Sequence, residues 1–162
     1  MNKIFRTSLI SAACLGAFGA ASAANDTANM TVKITVTATC DIHTVAPTDV
    51  DFGSVASTAT NVASTGGVLT VKCTNGTPYT IGMDNGTNFT TTRQMKNGTA
   101  NFVAYGLFRD AAFANAWGST VPLSAAGTGN GANQNFTVYG RVPSAAAAAG
   151  AYTDTVVATV TY

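Results

Sequence analysis

Residues 30–40 read MTVKITVTATC. Met30, Val32, Ile34, Val36 and Ala38 alternate with Thr31, Lys33, Thr35, Thr37 and Thr39, which is the period of a strand with one buried face. An apolar strand without a partner is a template for edge-to-edge association, so proteins ordinarily cover or shorten it. The segment therefore needs a neighbour. Periodicity alone favours one within its own domain, as an ordinary first strand.

Upstream lies MNKIFRTSLISAACLGAFGAASA, with Lys3 and Arg6 before an apolar run that ends in Ala21-Ser22-Ala23. That is the layout of a secretory signal peptide over residues 1–23, cut before Ala24. The apolar run is broken by small residues and falls short of the roughly 18 needed to span a bilayer. Ser11 stands where a lipoprotein site at Cys14 wants Leu. The expectation is an exported, water-soluble chain of about 139 residues, enough for one domain with a real core.

Removing Lys3 and Arg6 leaves six basic and seven acidic residues, a formal charge near −1. Nothing in that balance attracts nucleic acid or anionic lipid. Two cysteines remain, Cys40 and Cys73, and an oxidising compartment would join them. Closing a loop of about 34 residues contributes roughly 3 to 4 kcal/mol through the unfolded state on the entropic account. A zinc or redox reading lacks further Cys or a His at ligand spacing.

Thr, Ala, Gly, Asn and Val dominate, charged residues make up only 9%, and Glu is absent, so few helix formers besides Ala remain. Short β-compatible runs recur: VDFGSV (50–55), GVLTVKC (67–73), YTIGM (79–83), NFVAYGLF (101–108), NFTVYGRV (135–142) and AYTDTVVATVTY (151–162). Between them fall Asn75-Gly76, Asn85-Gly86, Asn97-Gly98 and Asn130-Gly131, pairs suited to tight turns. This spacing predicts an antiparallel, immunoglobulin-like β-sandwich. PSAAAAAGAY has no bulky apolar anchor and reads as a loop.

The chemistry of an enzyme is missing. His43 is the single histidine, and with Asp41 and Thr44 it reads as a polar strand-end cluster. Asp49 and Asp51 read as a charged loop leading into a strand at Phe52, not as an acid-base or cation pair. Gly66-Gly67 and GTGNGAN (127–133) lack the Lys-Ser/Thr and strand-turn-helix context of a phosphate cradle. The sequons at Asn75, Asn85, Asn88 and Asn97 follow from an Asn- and Thr-rich chain. Trp117 is expected to pack over the sandwich edge rather than serve as a ligand platform. No cofactor is implied.

DFGSV, TVKCTNGTPYTIGMDNGTN, RQMKNG, YGLFRDAAFANAWG, TVYGRVP and GAYTDTVVATVTY occur in this order. Together they resemble the spore coat protein U domain family, which includes subunits of archaic chaperone-usher pili, over nearly all of the mature chain. The resemblance implies an incomplete immunoglobulin-like sandwich of pilin type, which lacks its last strand and leaves a hydrophobic groove open. A periplasmic chaperone fills the groove first, and at an outer-membrane usher the N-terminal extension of the next subunit replaces it. It also implies a family disulfide resembling one between Cys40 and Cys73. The partners would be neighbouring pilin subunits, a periplasmic pilus chaperone and the usher, with no nucleic acid and no stable membrane insertion.

Two segments of the sequence fit that scheme. In residues 151–162, Val156, Ala158, Val160 and Tyr162 share one face of a strand that runs to the final residue, the acceptor edge. Ala28, Met30, Val32, Ile34 and Val36 are the donor side chains, entering successive pockets while backbone hydrogen bonds add affinity. The expected organisation is a signal peptide (1–23), a donor-strand extension (24–36) and the pilin domain (37–162). Its function would be that of a structural subunit of a surface fimbria assembled by donor-strand exchange, supporting adhesion and biofilm formation. The alternative is a self-complemented secreted coat or carbohydrate-binding sandwich, which Trp117 and Tyr105 on one exposed patch would favour.

Overall fold

The computed structural model describes residues 22–98 and 100–162. The signal peptide expected over 1–23 lies, except for its last two residues, outside them. Two compact units divide the chain at Thr35 and Val36. In the first unit residues 22–35 form no strand and are exposed. The second unit, Val36–Tyr162, holds the fold.

That fold is all-β, with no helix among the described residues, so none is long and apolar enough to cross a membrane. Eight strands form: β1 (Cys40–Asp41), β2 (Thr60–Cys73), β3 (Pro78–Met83), β4 (Arg93–Lys96), β5 (Phe102–Phe108), β6 (Ala125–Thr128), β7 (Asn133–Ser144) and β8 (Ala158–Thr161). A five-stranded sheet runs β1-β2-β7-β5-β4 and a three-stranded sheet runs β6-β3-β8. Every pairing is antiparallel.

Period-2 alternation places the core between the sheets. Leu69, Val71 and Cys73 of β2, Val103, Tyr105 and Leu107 of β5, and Val138 and Val142 of β7 meet Tyr79, Ile81 and Met83 of β3. Trp117 is only 1% exposed, and its Nε1 donates to the Ile81 carbonyl at 2.9 Å. Phe136 stands edge-on to both Trp117 and Tyr79, at centroid distances of 6.4 and 6.2 Å. Trp117 is thus a core member that satisfies its one polar atom on the backbone.

Gly76, Gly86 and Gly131 adopt positive φ (79°, 80° and 77°), as their Asn-Gly turns require. Gly98 is not among the positive-φ residues, so the fourth pair turns differently. Residues 145–150 after β7 form no helix, in keeping with the loop expected for the alanine run.

Three apolar runs differ from their expected strands. Residues 30–39 show the right alternation but pair with nothing that would make them a strand; pairing begins at Cys40, opposite Cys73. Residues 50–55 are not a strand either. Asp51 accepts the Gly53 N–H (2.8 Å), and Gly53 turns at φ 65°, which ends any extended run there. In the third, β8 occupies only 158–161, because the preceding backbone is engaged in side-chain and isolated bridge contacts described below.

The Cys40–Cys73 disulfide is formed, with S–S 2.00 Å, and joins β1 to the end of β2. Thr39 and Thr74 reinforce it: the Thr39 N–H donates to Thr74 Oγ1 at 3.1 Å and the Thr74 N–H to the Thr39 carbonyl at 2.9 Å.

Two inner-face glycines seat the chain between β1 and β2. A Cβ on Gly140 would fall 2.5 Å from Val50 Cγ1 and 2.7 Å from Phe52 Cζ; one on Gly67 would fall 2.5 Å from Val50 Cγ2. Val50 and Phe52 therefore lie flat on the sheet only because no side chain rises there. Gly140→Ala should overpack this seat and cost about 1 to 3 kcal/mol. Urea unfolding followed by the fluorescence of Trp117, the chain's single tryptophan, measures it.

Candidate functional site

β8 pairs with β3 on one side, Thr161 opposite Thr80 through Ala158 opposite Met83, and no strand of the described residues pairs with its other edge. Across from that edge runs the irregular segment 42–52. It is tied to β2 by Thr48, whose N–H donates to the Val68 carbonyl (3.1 Å) and whose hydroxyl donates to the Gly66 carbonyl (2.9 Å). Between the two edges the interior is open.

One opening, of about 550 Å³, has Leu69, Met83, Leu107 and Val138 in its walls, with Val156 and Ala158 along the β8 side. A second, of about 720 Å³, is lined by Val62, Val103, Val142, Ala145 and Tyr152 among others. Val50 and Phe52 border both openings, and of the two only the first reaches β8. An unroofed core beside an unpaired strand edge is the geometry that takes an added strand: the edge supplies backbone hydrogen bonds and the trough takes alternate side chains.

Val156, Ala158 and Val160 are half-buried against the core. Val157, on the opposite face, is 56% exposed, and Tyr162, one residue beyond β8, is 60% exposed. Of the side chains read as donors, Ala28 is exposed, and so are Met30, Val32, Ile34 and Val36, at 88, 88, 89 and 74%. Covering this row would contribute roughly 1.5 to 3 kcal/mol for each Met, Val or Ile side chain fully buried.

A polar cluster that the sequence reading missed fixes the approach to β8. Asp84 Oδ1 accepts the N–H groups of Gly86 and Val157, both at 2.9 Å. Asp154 Oδ1 accepts from the Asn88 backbone (3.2 Å) and side chain (3.0 Å), and its Oδ2 from the Tyr105 hydroxyl (2.7 Å). Arg93 donates to the carbonyls of Met83 and Asp84. Lys96 and Thr153 exchange backbone bonds at 2.9 and 3.0 Å, and the Thr87 N–H donates to the Thr155 carbonyl at 3.1 Å. These contacts consume the backbone of 153–157, which is why the strand starts only at Ala158. In a chain with so few charges, an Asp within an apolar β run was the available signal.

Burial, helped by the bond to Asp154, pushes the Tyr105 phenol well above its ordinary value, and burial pulls the Arg93 guanidinium below its own. Asp41 is held below the usual carboxylate range by the His43 N–H and the Thr44 hydroxyl, with no catalytic neighbour, and His43 is 91% exposed. Asp51 serves its own turn. No group of three or more metal-ligating side chains occurs among the described residues. Trp117 and Tyr105 do not form an exposed patch, being 1 and 8% exposed. The aromatic feature that would have favoured a carbohydrate-binding sandwich is thereby removed.

An immunoglobulin-like sandwich with one open seam is the fold of pilin-type subunits. The chain belongs to the Spore Coat Protein U domain family, which it matches over residues 26–159. No curated protein matches it. Among the solved structures it is similar to a chain in the CsuC–CsuE chaperone–tip adhesion subunit pre-assembly complex, from the archaic chaperone-usher Csu pili of Acinetobacter baumannii. That likeness has a TM-score of 0.59 and 25% identity, and covers 79% of this chain and 41% of that one. This chain thus spans less than half of the solved chain. Family and fold make it a structural protein, not an enzyme.

Tyr105 gives the cluster a measurable signature. Up to about pH 10 the folded and unfolded chains both hold the phenolic proton. Above it the unfolded chain releases the proton and the folded chain keeps it, so stability falls as pH rises, by at most about 1.4 kcal/mol per pH unit. Tyr79, also raised by burial, acts in the same direction. Tyr105→Phe should flatten, without abolishing, the decline between pH 10 and 11.5 in urea-unfolding titrations.

Proposed function

We propose that the chain is a structural subunit of a chaperone-usher fimbria, joined to its neighbours by donor-strand exchange. Residues 24–36 of one copy add a strand to the β8 edge of the next. Met30, Val32, Ile34 and Val36, with Ala28 at the margin, descend into the trough. The observation that carries this reading is the opening beside the unpaired β8 edge, with Leu69, Met83, Leu107 and Val138 in its walls, in a chain that also carries an exposed apolar strip at strand period. Membership of the Spore Coat Protein U domain family and the likeness to a Csu pilus structure support it.

On this reading the subunit is exported, held in the periplasm by a pilus chaperone that covers the same trough, and delivered through an outer-membrane usher to the cell surface. There the fibre supports adhesion and biofilm formation. The contact is head-to-tail and does not close, so each added copy presents a fresh trough and the assembly grows as a filament.

Periplasmic co-expression with a pilus-type chaperone tests it. The full mature chain should give a ladder of stable non-covalent oligomers on unheated gels, and a chain lacking residues 24–34 should give none. A full chain that is a stable monomer without any chaperone would sink strand exchange and favour a self-complemented coat protein.

Ile34→Asp supplies a sharper version. Placing a carboxylate in the trough costs several kcal/mol, so the ladder should fall to background while the chaperone complex forms at the parental level. Equal loss of both would make residue 34 part of its own domain.

A further inference from the structure

The tripeptide Asn-Gly-Thr occurs at 75–77, 85–87 and 97–99, and Asn130-Gly131 adds a further Asn-Gly pair. Asparagine is a thermolabile residue, most of all before glycine, where no side chain shields the next backbone nitrogen from the carboxamide carbon. Copies of one local sequence share one intrinsic chemistry. Any difference between them in the folded chain comes from the fold.

The fold separates them at the glycine N–H. That of Gly76 donates to the Gly129 carbonyl at 2.8 Å, that of Gly86 to Asp84 Oδ1 at 2.9 Å, and that of Gly131 to the Cys73 carbonyl at 3.0 Å. These three glycines are also fixed at positive φ. Gly86 is further walled in, since a Cβ there would run into the Asp154 carboxylate. Asn130 is held too, its Oδ1 accepting the Ala132 N–H at 2.9 Å.

Gly98 differs on each count. Its φ is not positive, it is exposed, and nothing lies within 4 Å of where its Cβ would stand. Its N–H donates no hydrogen bond among the described residues. Asn97 before it is half-buried, and both ends of its carboxamide are engaged: the Asn101 N–H donates to Oδ1, and Nδ2 donates to the Tyr152 hydroxyl, each at 3.4 Å. The first of these draws charge toward the oxygen that turns negative when the carbonyl is attacked. Exposure alone would rank Asn97 last, because Asn75, Asn85 and Asn130 are exposed. The glycine N–H groups reverse that order.

We propose that Asn97 is a site of spontaneous deamidation, with water as the co-reactant. Hydroxide takes the Gly98 amide proton and the nitrogen attacks Asn97 Cγ. The new N–C bond forms as the Cγ–Nδ2 bond breaks, and ammonia leaves with a proton from solvent. One water then opens the cyclic imide at either carbonyl, giving aspartate or isoaspartate at position 97, with no change of oxidation state. The product carries an acceptor-only carboxylate where Nδ2 now donates to Tyr152, so conversion removes that bond. The step needs no partner chain and stands apart from strand exchange.

Peptide mapping by mass spectrometry tests it, on the full mature chain, chaperone-bound or oligomeric, incubated in mildly alkaline buffer. Asn97 should convert at least about fivefold faster than Asn75, Asn85 or Asn130, because each of those must first give up the hydrogen bond at its glycine. In urea the three Asn-Gly-Thr copies should convert at one rate, which assigns the selectivity to the fold. Gly98→Ala, for which there is open space, should slow conversion of Asn97 several-fold and leave the urea midpoint unchanged. Equal rates in the folded chain, a faster rate at any of the other three, or a lead at Asn97 that persists in urea would each overturn the proposal.

Discussion

A sheet edge is a row of N–H and C=O groups that must be paired or left to water, and the β8 edge is left unpaired directly beside an open interior. Most of what is unusual in the molecule can be referred to that constraint. Leu69, Leu107 and Val138 are buried by the sheets on either side, yet they also line the trough, so one missing strand leaves the core complete in width but not in cover. The polar cluster around Asp84, Asp154 and Arg93 holds the approach to β8 without help from a neighbour on the open side. The disulfide bonds Cys40, which follows the exposed apolar strip in the chain, to the end of β2.

The interior strands were legible from alternation, for a physical reason. In β2, β3, β5 and β7 every second side chain meets the opposing sheet, and the pattern Leu69, Val71, Cys73 or Val103, Tyr105, Leu107 records that demand residue by residue. The Asn-Gly turns at 76, 86 and 131 were legible because positive φ narrows the choice of residue. The runs at 30–39 and 50–55 carry the same alternation without being strands. Alternation states which side chains share a face, whereas strand structure also needs an edge to pair with. For residues 50–55 the buried face is real: Val50 and Phe52 do point inward, onto Gly67 and Gly140, through side-chain packing rather than a hydrogen-bond ladder.

Long-range polar contacts were not legible. Asp154 meets Tyr105 across 49 positions, and Arg141 meets Asn61 across 80. No local pattern marks such partners, because the sheets bring them together only after the hydrophobic periodicity has set the register. The short strands β4 and β6 escaped for a related reason. RQMK and AAGT are too brief and too polar or too small to show a period, and each is a strand because β5 or β3 offers it an edge. Trp117 was expected at the rim and lies in the core. A large aromatic inside a small sandwich needs an acceptor for its N–H, and the Ile81 carbonyl is that acceptor.

Seating Val50 and Phe52 across the trough bears on how the proposed exchange can be both safe and complete. A fully empty interior would collapse or aggregate before assembly, and a fully packed one would leave no room for a strand. The bar formed by these two side chains packs on the sheet through two glycines and borders both openings. On the proposed exchange, an incoming strand meets this bar and adds burial through the side chains it places beyond it. That division favours a donor with bulky apolar residues at several alternate positions over one with a single large anchor. Met30, Val32, Ile34 and Val36 form that kind of series, each exposed and each adding apolar area when covered.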